Sequence, residues 1–561
     1  MRTKLRVGVV ALAPALIFCA FAGCGDGGNA NGTSSGQSSS HSSDQSSSST
    51  SAQTSSGAGA STSGTGAGDG GTVTSAGGAG GGGAESGGTG GAGGAGGGGG
   101  AKPDVTPPVV TLSGLTDGSL LRTARLHVLV EAKDDGGIAR VGFALNGAAA
   151  VDLATSKGAL VADGEVDTRP TRGDNTLVVF AEDLAGNRTE APLKAVFERR
   201  LSAGGSHTGA VVGGQVFVWG RNNVSQLGLG GGDIMPRLVP TPLTGLDGIT
   251  EIDFRQNQSL ALQQSGALFV WGNNTDGRLG LGASDKPDTT TRDTPTKNPN
   301  LSGVLAATFG YDHTLVLLED GTVRAFGDNS SGQLGDGTTD DRHYPVTVAG
   351  LDDVIQLVGG SKHSVALRRD GTVWTWGRNQ YGNLGQGTAD VNPHPVPSKV
   401  AGLSDVAHIA SGRDHILALR SDGTVVGWGL NQNGQVGNGM SGAGADAYMP
   451  TPVAGLAGAV AVMADGNFSF AIRKDGSAIG WGQNFNGQLG IGSEDTSDRS
   501  APDAPLALAP VVDIDPGATH AIGIGPNSSI YTWGWSTSGS LGRSNLLNNW
   551  AYPVPGQVTL P

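Results

Sequence analysis

From about residue 201 to the C-terminus, apolar positions fall into short runs that alternate with polar ones and stop at Gly, Asp or Asn. Alternation with a period of two predicts half-buried strands. The stretch HTLVLLEDGTVRAFG, starting at His313, shows the unit: two apolar runs flank Asp320-Gly321. Asp-Gly between alternating runs predicts a hairpin whose two central residues take positive φ. Asp370-Gly371, Asp422-Gly423 and Asp475-Gly476 repeat the signal. Each unit then continues through a Gly-rich loop to an outer segment such as residues 344–348 or 394–400, giving four strands.

One phrase marks every unit. It reads VFVWGRNNVSQLGLG at Trp219, LFVWGNNTDGRLGLG at Trp271, VRAFGDNSSGQLGDG at Phe326 and VWTWGRNQYGNLGQG at Trp376. It returns as VVGWGLNQNGQVGNG at Trp428, AIGWGQNFNGQLGIG at Trp481 and IYTWGWSTSGSLGRS at Trp533. Successive aromatics stand 50 to 55 residues apart, a period that belongs to propellers and solenoids. Thirteen residues before the aromatic stands His313, His363, His415 or His520, with His207 one residue closer. The phrases GxxH-S-x-A-L, DGxVxxWG and NxxGQLGxG resemble those of the regulator of chromosome condensation repeat family. That resemblance covers residues 201–561 and implies a seven-bladed β-propeller, all-β, whose members include nuclear exchange factors for a small GTPase and a secreted bacterial inhibitor of β-lactamases. Because the chain enters partway through a unit and ends on an outer segment, its two ends are expected to share one closing blade.

Ahead of the repeats, residues 102–198 show strand alternation at Leu126, Val128 and Val130, at Val141, Phe143 and Leu145, and at Leu177, Val179 and Ala181. Turns are expected at residues 134–137, 146–147, 173–175 and 185–187. The phrases TPPVVTL, VGFALNG and GDNTLVVFAEDLAGN resemble bacterial immunoglobulin-like domains, which implies a small β-sandwich acting as a spacer or adhesion unit. Glu182, Asp183 and Asn187, with Asp134 and Asp135, are candidate calcium ligands, since that ion takes several oxygens. Turn chemistry in a solvated loop is the plainer reading.

Composition adds a third region. Residues 25–101 are almost wholly Gly, Ser, Ala and Thr and cannot bury enough apolar surface to fold. As a flexible coil, residues 24–101 would span roughly 50 Å. Before them, Arg2, Lys4 and Arg6 lead into an apolar run ending at Ala22, the form of an export signal over residues 1–23. The ending Phe21, Ala22, Gly23, Cys24 resembles a bacterial lipobox, which implies a lipid on Cys24 and an outer-membrane location in the cell envelope. Cys19 and Cys24 are the only cysteines, so no disulfide staples the folded regions. A formal charge of -14, with Lys and Arg scattered, argues against nucleic acid.

Catalytic motifs are missing: no HExxH, no phosphate-binding loop, no thiol in the folded parts. A histidine ring could suggest a metal, but Gln258 and Phe468 stand at two of its positions. The histidines and WG aromatics therefore read as blade packing, with the histidines satisfying backbone groups of the next blade, and no cofactor is expected. Residues 283–300 and 493–505 read as loops inserted before the outer segment, where binding specificity tends to reside. The expectation is a lipid-anchored, extracytoplasmic propeller that binds an unidentified protein or cell-surface ligand without catalysis. Inhibition of an extracytoplasmic enzyme and guanine-nucleotide exchange are the alternatives.

Overall fold

A computed structural model describes residues 104–113, 115, 119–153, 159, 161–492, 496–525 and 528–561. The expected export signal over residues 1–23, Cys24 and the Gly/Ser-rich segment lie outside them.

The first described strands are β1 (Val109–Ser113), β2 (Ser119–Leu120), β3 (Leu126–Lys133), β4 (Ile138–Leu145), β5 (Val151–Asp152), β6 (Val161–Thr168), β7 (Gly173–Asp183) and β8 (Arg188–Phe197). They form two sheets, ordered β1-β3-β6 and β2-β8-β7-β4-β5. Leu126, Val128, Val130, Val141, Leu177, Val179 and Ala181 share one buried core, with Phe143 and Leu145 partly buried against it. Alternation along β3 and β7 thus points every second side chain into a sandwich. Residues 173–175, expected as a turn, open β7 instead, laddered against Phe197, Val196 and Ala195 of β8, while Gly173 keeps a turn-like φ of 78° and Asn175 Nδ2 donates to Thr171 O and Gly173 O.

Seven four-stranded antiparallel sheets follow between residues 201 and 557, each a meander of consecutive strands. Blade 3 is typical: an inner strand Val304–Phe309, a histidine strand His313–Leu318, a WG strand Val323–Gly327 and an outer strand Arg342–Thr347. No blade mixes the two chain ends. Blade 1 is built wholly from residues 201–243 and blade 7 wholly from 513–557, so the shared closing blade expected from the sequence does not form. Ring closure comes from contacts between blades 1 and 7 instead, with Ala518 N donating to Gly204 O at 3.2 Å. Seven apolar clusters each join one blade to the next, and the last sets Leu201, Ala203, Ala210 and Trp219 of blade 1 against Ile522, Ile530 and Val558 of blade 7.

The Asp-Gly hairpins also differ from the expected geometry. Gly321 has φ of 82°, but Asp320 stays out of the left-handed region, because its carboxylate accepts hydrogen bonds from Thr322 N and Oγ1 at 2.9 and 2.7 Å. The turn is a three-residue loop closed by Leu318 and Thr322. Blade 1 uses two positive-φ residues, Gly213 and Gly214, in a loop one residue shorter than that of blade 3. That is why His207 stands one residue nearer its aromatic.

Candidate functional site

The repeated aromatics and histidines lie in the seams between blades. Trp219, Trp271, Trp376, Trp428, Trp481 and Trp533, and Phe326, are fully buried. Each indole N–H donates to a loop carbonyl of the preceding blade: Trp271 to Gln226, Trp376 to Gln333, Trp428 to Asn383, Trp481 to Gln435, Trp533 to Gln488 and Trp219 to Ser540, all within 2.8–3.0 Å. Glycine two residues on gives the ring its room. A Cβ on Gly228, at φ 69°, would sit 2.7 Å from Trp271 Nε1.

The histidines pair with hydroxyls rather than with the backbone groups expected. His313 Nε2 lies 2.8 Å from Ser364 Oγ, which donates its one proton to Gln333 O at 2.8 Å. The imidazole must therefore donate from Nε2, which leaves Nδ1 unprotonated and without a partner. His207 meets Ser259, His363 meets Ser411, His415 meets Ser469, and His520 meets Thr208. Burial pushes His207, His313, His363 and His415 down to about 3 and His520 to about 4. The two exceptions are compensated: Gln258 reaches Tyr311 O at 2.8 Å, and Phe468 faces Ala521, where no hydroxyl exists. These residues hold the ring together.

A second cluster, which the sequence reading missed, lies in the central channel, lined by the inner strands. Arg255 of blade 2 pairs with Asp465 of blade 6 and donates to Gly359 O of blade 4, crossing the channel. Arg199, just after β8, joins Asp253 of blade 2 at 3.2 Å to Asp515 of blade 7 at 2.7 Å. Asp253 also accepts from Thr308 Oγ1 and Phe309 N of blade 3. These charges stand at alternate positions on short strands and carry no linear motif.

The sandwich, expected as a spacer, is seated on this channel. Arg122 bonds Asp513 at 2.7 Å, Arg169 bonds Asp353 at 3.0 Å, Arg369 bonds Asp167 at 2.8 Å, and Ala124 N donates to Ile355 O at 2.8 Å. All four propeller contacts lie at the hairpin ends of the blades. The Gly-rich loops, which join WG strands to outer strands, lie at the opposite face. The inserted loops are partly strand: Arg292–Lys297 and Arg499–Pro505 are themselves outer strands of blades 2 and 6. Apolar side chains mark that face instead. Exposed Ile234, Met235, Val391, Met440, Phe485 and Leu547 sit in the Gly-rich loops of blades 1, 4, 5, 6 and 7, an unbroken arc, and Trp550 beside Leu547 is 60% exposed.

In the sandwich, Asp104, Asp134 and Asp135 bring carboxylates within 4.8 Å of one another. Asp183 and Asn187, expected in that group, bond each other across the β7–β8 turn.

The profile of the RCC1-like domain matches residues 172–463, and that of the regulator of chromosome condensation (RCC1) repeat matches residues 475–524. The chain belongs to the RCC1-like family. It is 31% identical over 374 residues to the ultraviolet-B receptor UVR8 of Arabidopsis thaliana, covering 65% of this chain and 82% of the receptor. Yeast RCC1 (Prp20), solved bound to Kap60, superposes with a TM-score of 0.56 at 22% identity, covering 62% of this chain and 84% of that one. Prp20p from Saccharomyces cerevisiae, solved in a study of its binding to Gsp1p and histones, gives 0.54 at 22%, covering 64% and 86%. At that identity the two structures carry the propeller fold alone. The RCC1-like chain described here therefore has the family ring with a sandwich docked on its hairpin face.

Proposed function

We propose that this RCC1-like chain is a lipid-anchored, extracytoplasmic binding propeller that engages a protein through its Gly-rich loop face and carries out no covalent chemistry. The observation that carries the reading is the asymmetry of the ring. The hairpin face is covered by the sandwich, while the opposite face presents the apolar arc that includes Phe485 and Leu547, with Trp550 at its edge. Aromatic and Met side chains in one exposed arc suit a protein interface, where a few such anchors supply most of the binding energy. Binding of Kap60 by a propeller of this fold supports a protein as partner. Lipid on Cys24 and an outer-membrane position rest on the leader and the residues that follow it.

Crosslinking in intact cells, with capture through the propeller, tests the reading. Phe485→Glu with Trp550→Glu should abolish a crosslink that the wild-type chain and Arg369→Ala both retain. A crosslink indifferent to the arc, or an unlipidated Cys24 in labelled cells, overturns it.

A further inference from the structure

A cavity of about 180 Å³ fills the channel between the sandwich and the inner strands. Its floor and walls come from both folded parts: Leu121 and Arg172 from the sandwich, Glu251 from blade 2, Ala306 from blade 3, Ile355 and Leu357 from blade 4. Most charges around it are spoken for. Arg122 holds Asp513, Arg199 holds Asp253 and Asp515, Arg255 holds Asp465, and Glu198 holds Arg200.

Two are not. Arg172 is 6% exposed, gives Nη2 to the carbonyl of Val304, and leaves Nη1 without any partner. Glu251 is half-buried and has only the Ala307 amide, at 3.4 Å. The two attract each other at a distance, Arg199 also acts on Glu251 and Glu319 on Arg172, but neither group makes an ion pair among the described residues. A buried guanidinium and a carboxyl that face a common space without meeting are costly unless something completes them.

We propose that the channel cavity is a binding site for a compact zwitterion with an apolar side chain, an α-amino acid of the alanine-to-leucine range. This site is separate from the loop face and stands whether or not that face binds a protein. The carboxylate would take Arg172, the ammonium would take Glu251, and the side chain would lie against Leu121, Ile355 and Leu357. Size sets the range, since a dry cavity of about 150 Å³ takes benzene, with six heavy atoms. Glu251 is raised by burial to about 7, so it gains most from a cation placed beside it.

Calorimetric titration of the full chain with L-alanine, L-valine and L-leucine, each to about 10 mM, tests the assignment. At least one should bind saturably, one per chain, and raise the melting temperature. Its N-acetyl and amide derivatives should bind about tenfold or more weakly, each having lost one charge. Glu251→Gln should weaken the parent and leave the N-acetyl derivative, which has no ammonium, unchanged. No saturable heat from any of the three overturns the site, as does equal binding of the blocked derivatives. The derivatives act on the wild-type chain, so the outcome stands even if the variant misfolds.

Discussion

At the scale of single residues, the seam works as a matched pair. His313 gives a proton to Ser364, and Ser364 passes its own to Gln333 O. Ser364→Ala strands a buried N–H and should cost about 1–3 kcal/mol. Blade 6 already shows the remedy, with Phe468 against Ala521. Adding His313→Phe to Ser364→Ala should therefore cost less than the two single changes summed, by about 1 kcal/mol. Urea unfolding of the four proteins measures the coupling, and strict additivity would show that the pair is not a unit. The same burial predicts an acid dependence. Five seam histidines have folded-state values of about 3 to 4, below the ordinary value near 6.5, so below pH 6.5 the unfolded chain binds protons that the folded chain refuses. Their stabilisation is full above about pH 6.5 and is lost as pH falls towards 3 to 4. The melting temperature should drop steadily between pH 7 and pH 5, and a flat profile would contradict the neutral seam.

At the scale of elements, the strands were legible because each buries one face. Trp376 and its six counterparts repeat at a fixed period, and the four-stranded unit follows from turn residues between alternating runs. What escaped were features that depend on competition for the same group. Asp320 was expected at positive φ, but its carboxylate finds Thr322 and holds a different turn. Asn379, the leading Asn of the loop phrase, given no role in the sequence reading, accepts from Leu384 N at 3.1 Å and donates to Thr388 O at 3.1 Å, and so shapes the loop from inside. Five other blades repeat the bond to the amide five residues on, and only Ser536 in blade 7 lacks it. The recurring Asn was the available signal. Residues 292–297 read as inserted loop because RDTPTK has no apolar alternation, yet the strand forms on hydrogen bonds to its neighbour.

At the scale of the whole molecule, the sandwich and ring meet through groups far apart in sequence. Arg122 and Asp513, or Asp167 and Arg369, have no periodic signature, so docking could not be read from the chain. These pairs are partly exposed, and their loss should loosen the sandwich without unfolding either part. In Arg122→Ala with Arg369→Ala, the amide of Ala124, which bonds Ile355 O, should exchange with solvent at least about tenfold faster, while the blade amides keep their protection. Unchanged exchange at Ala124 would place the docking energy in the apolar contacts alone.

Six of the seven seams are crossed by the backbone; the one between blades 7 and 1 is not. Denaturant should part the toroid there first, as a clasp opens before the links of a bracelet. Modular sheets of this kind also let a gene gain or lose a whole copy without splitting any hydrogen-bonded ladder. Only the fit of that last joint fixes the number at seven.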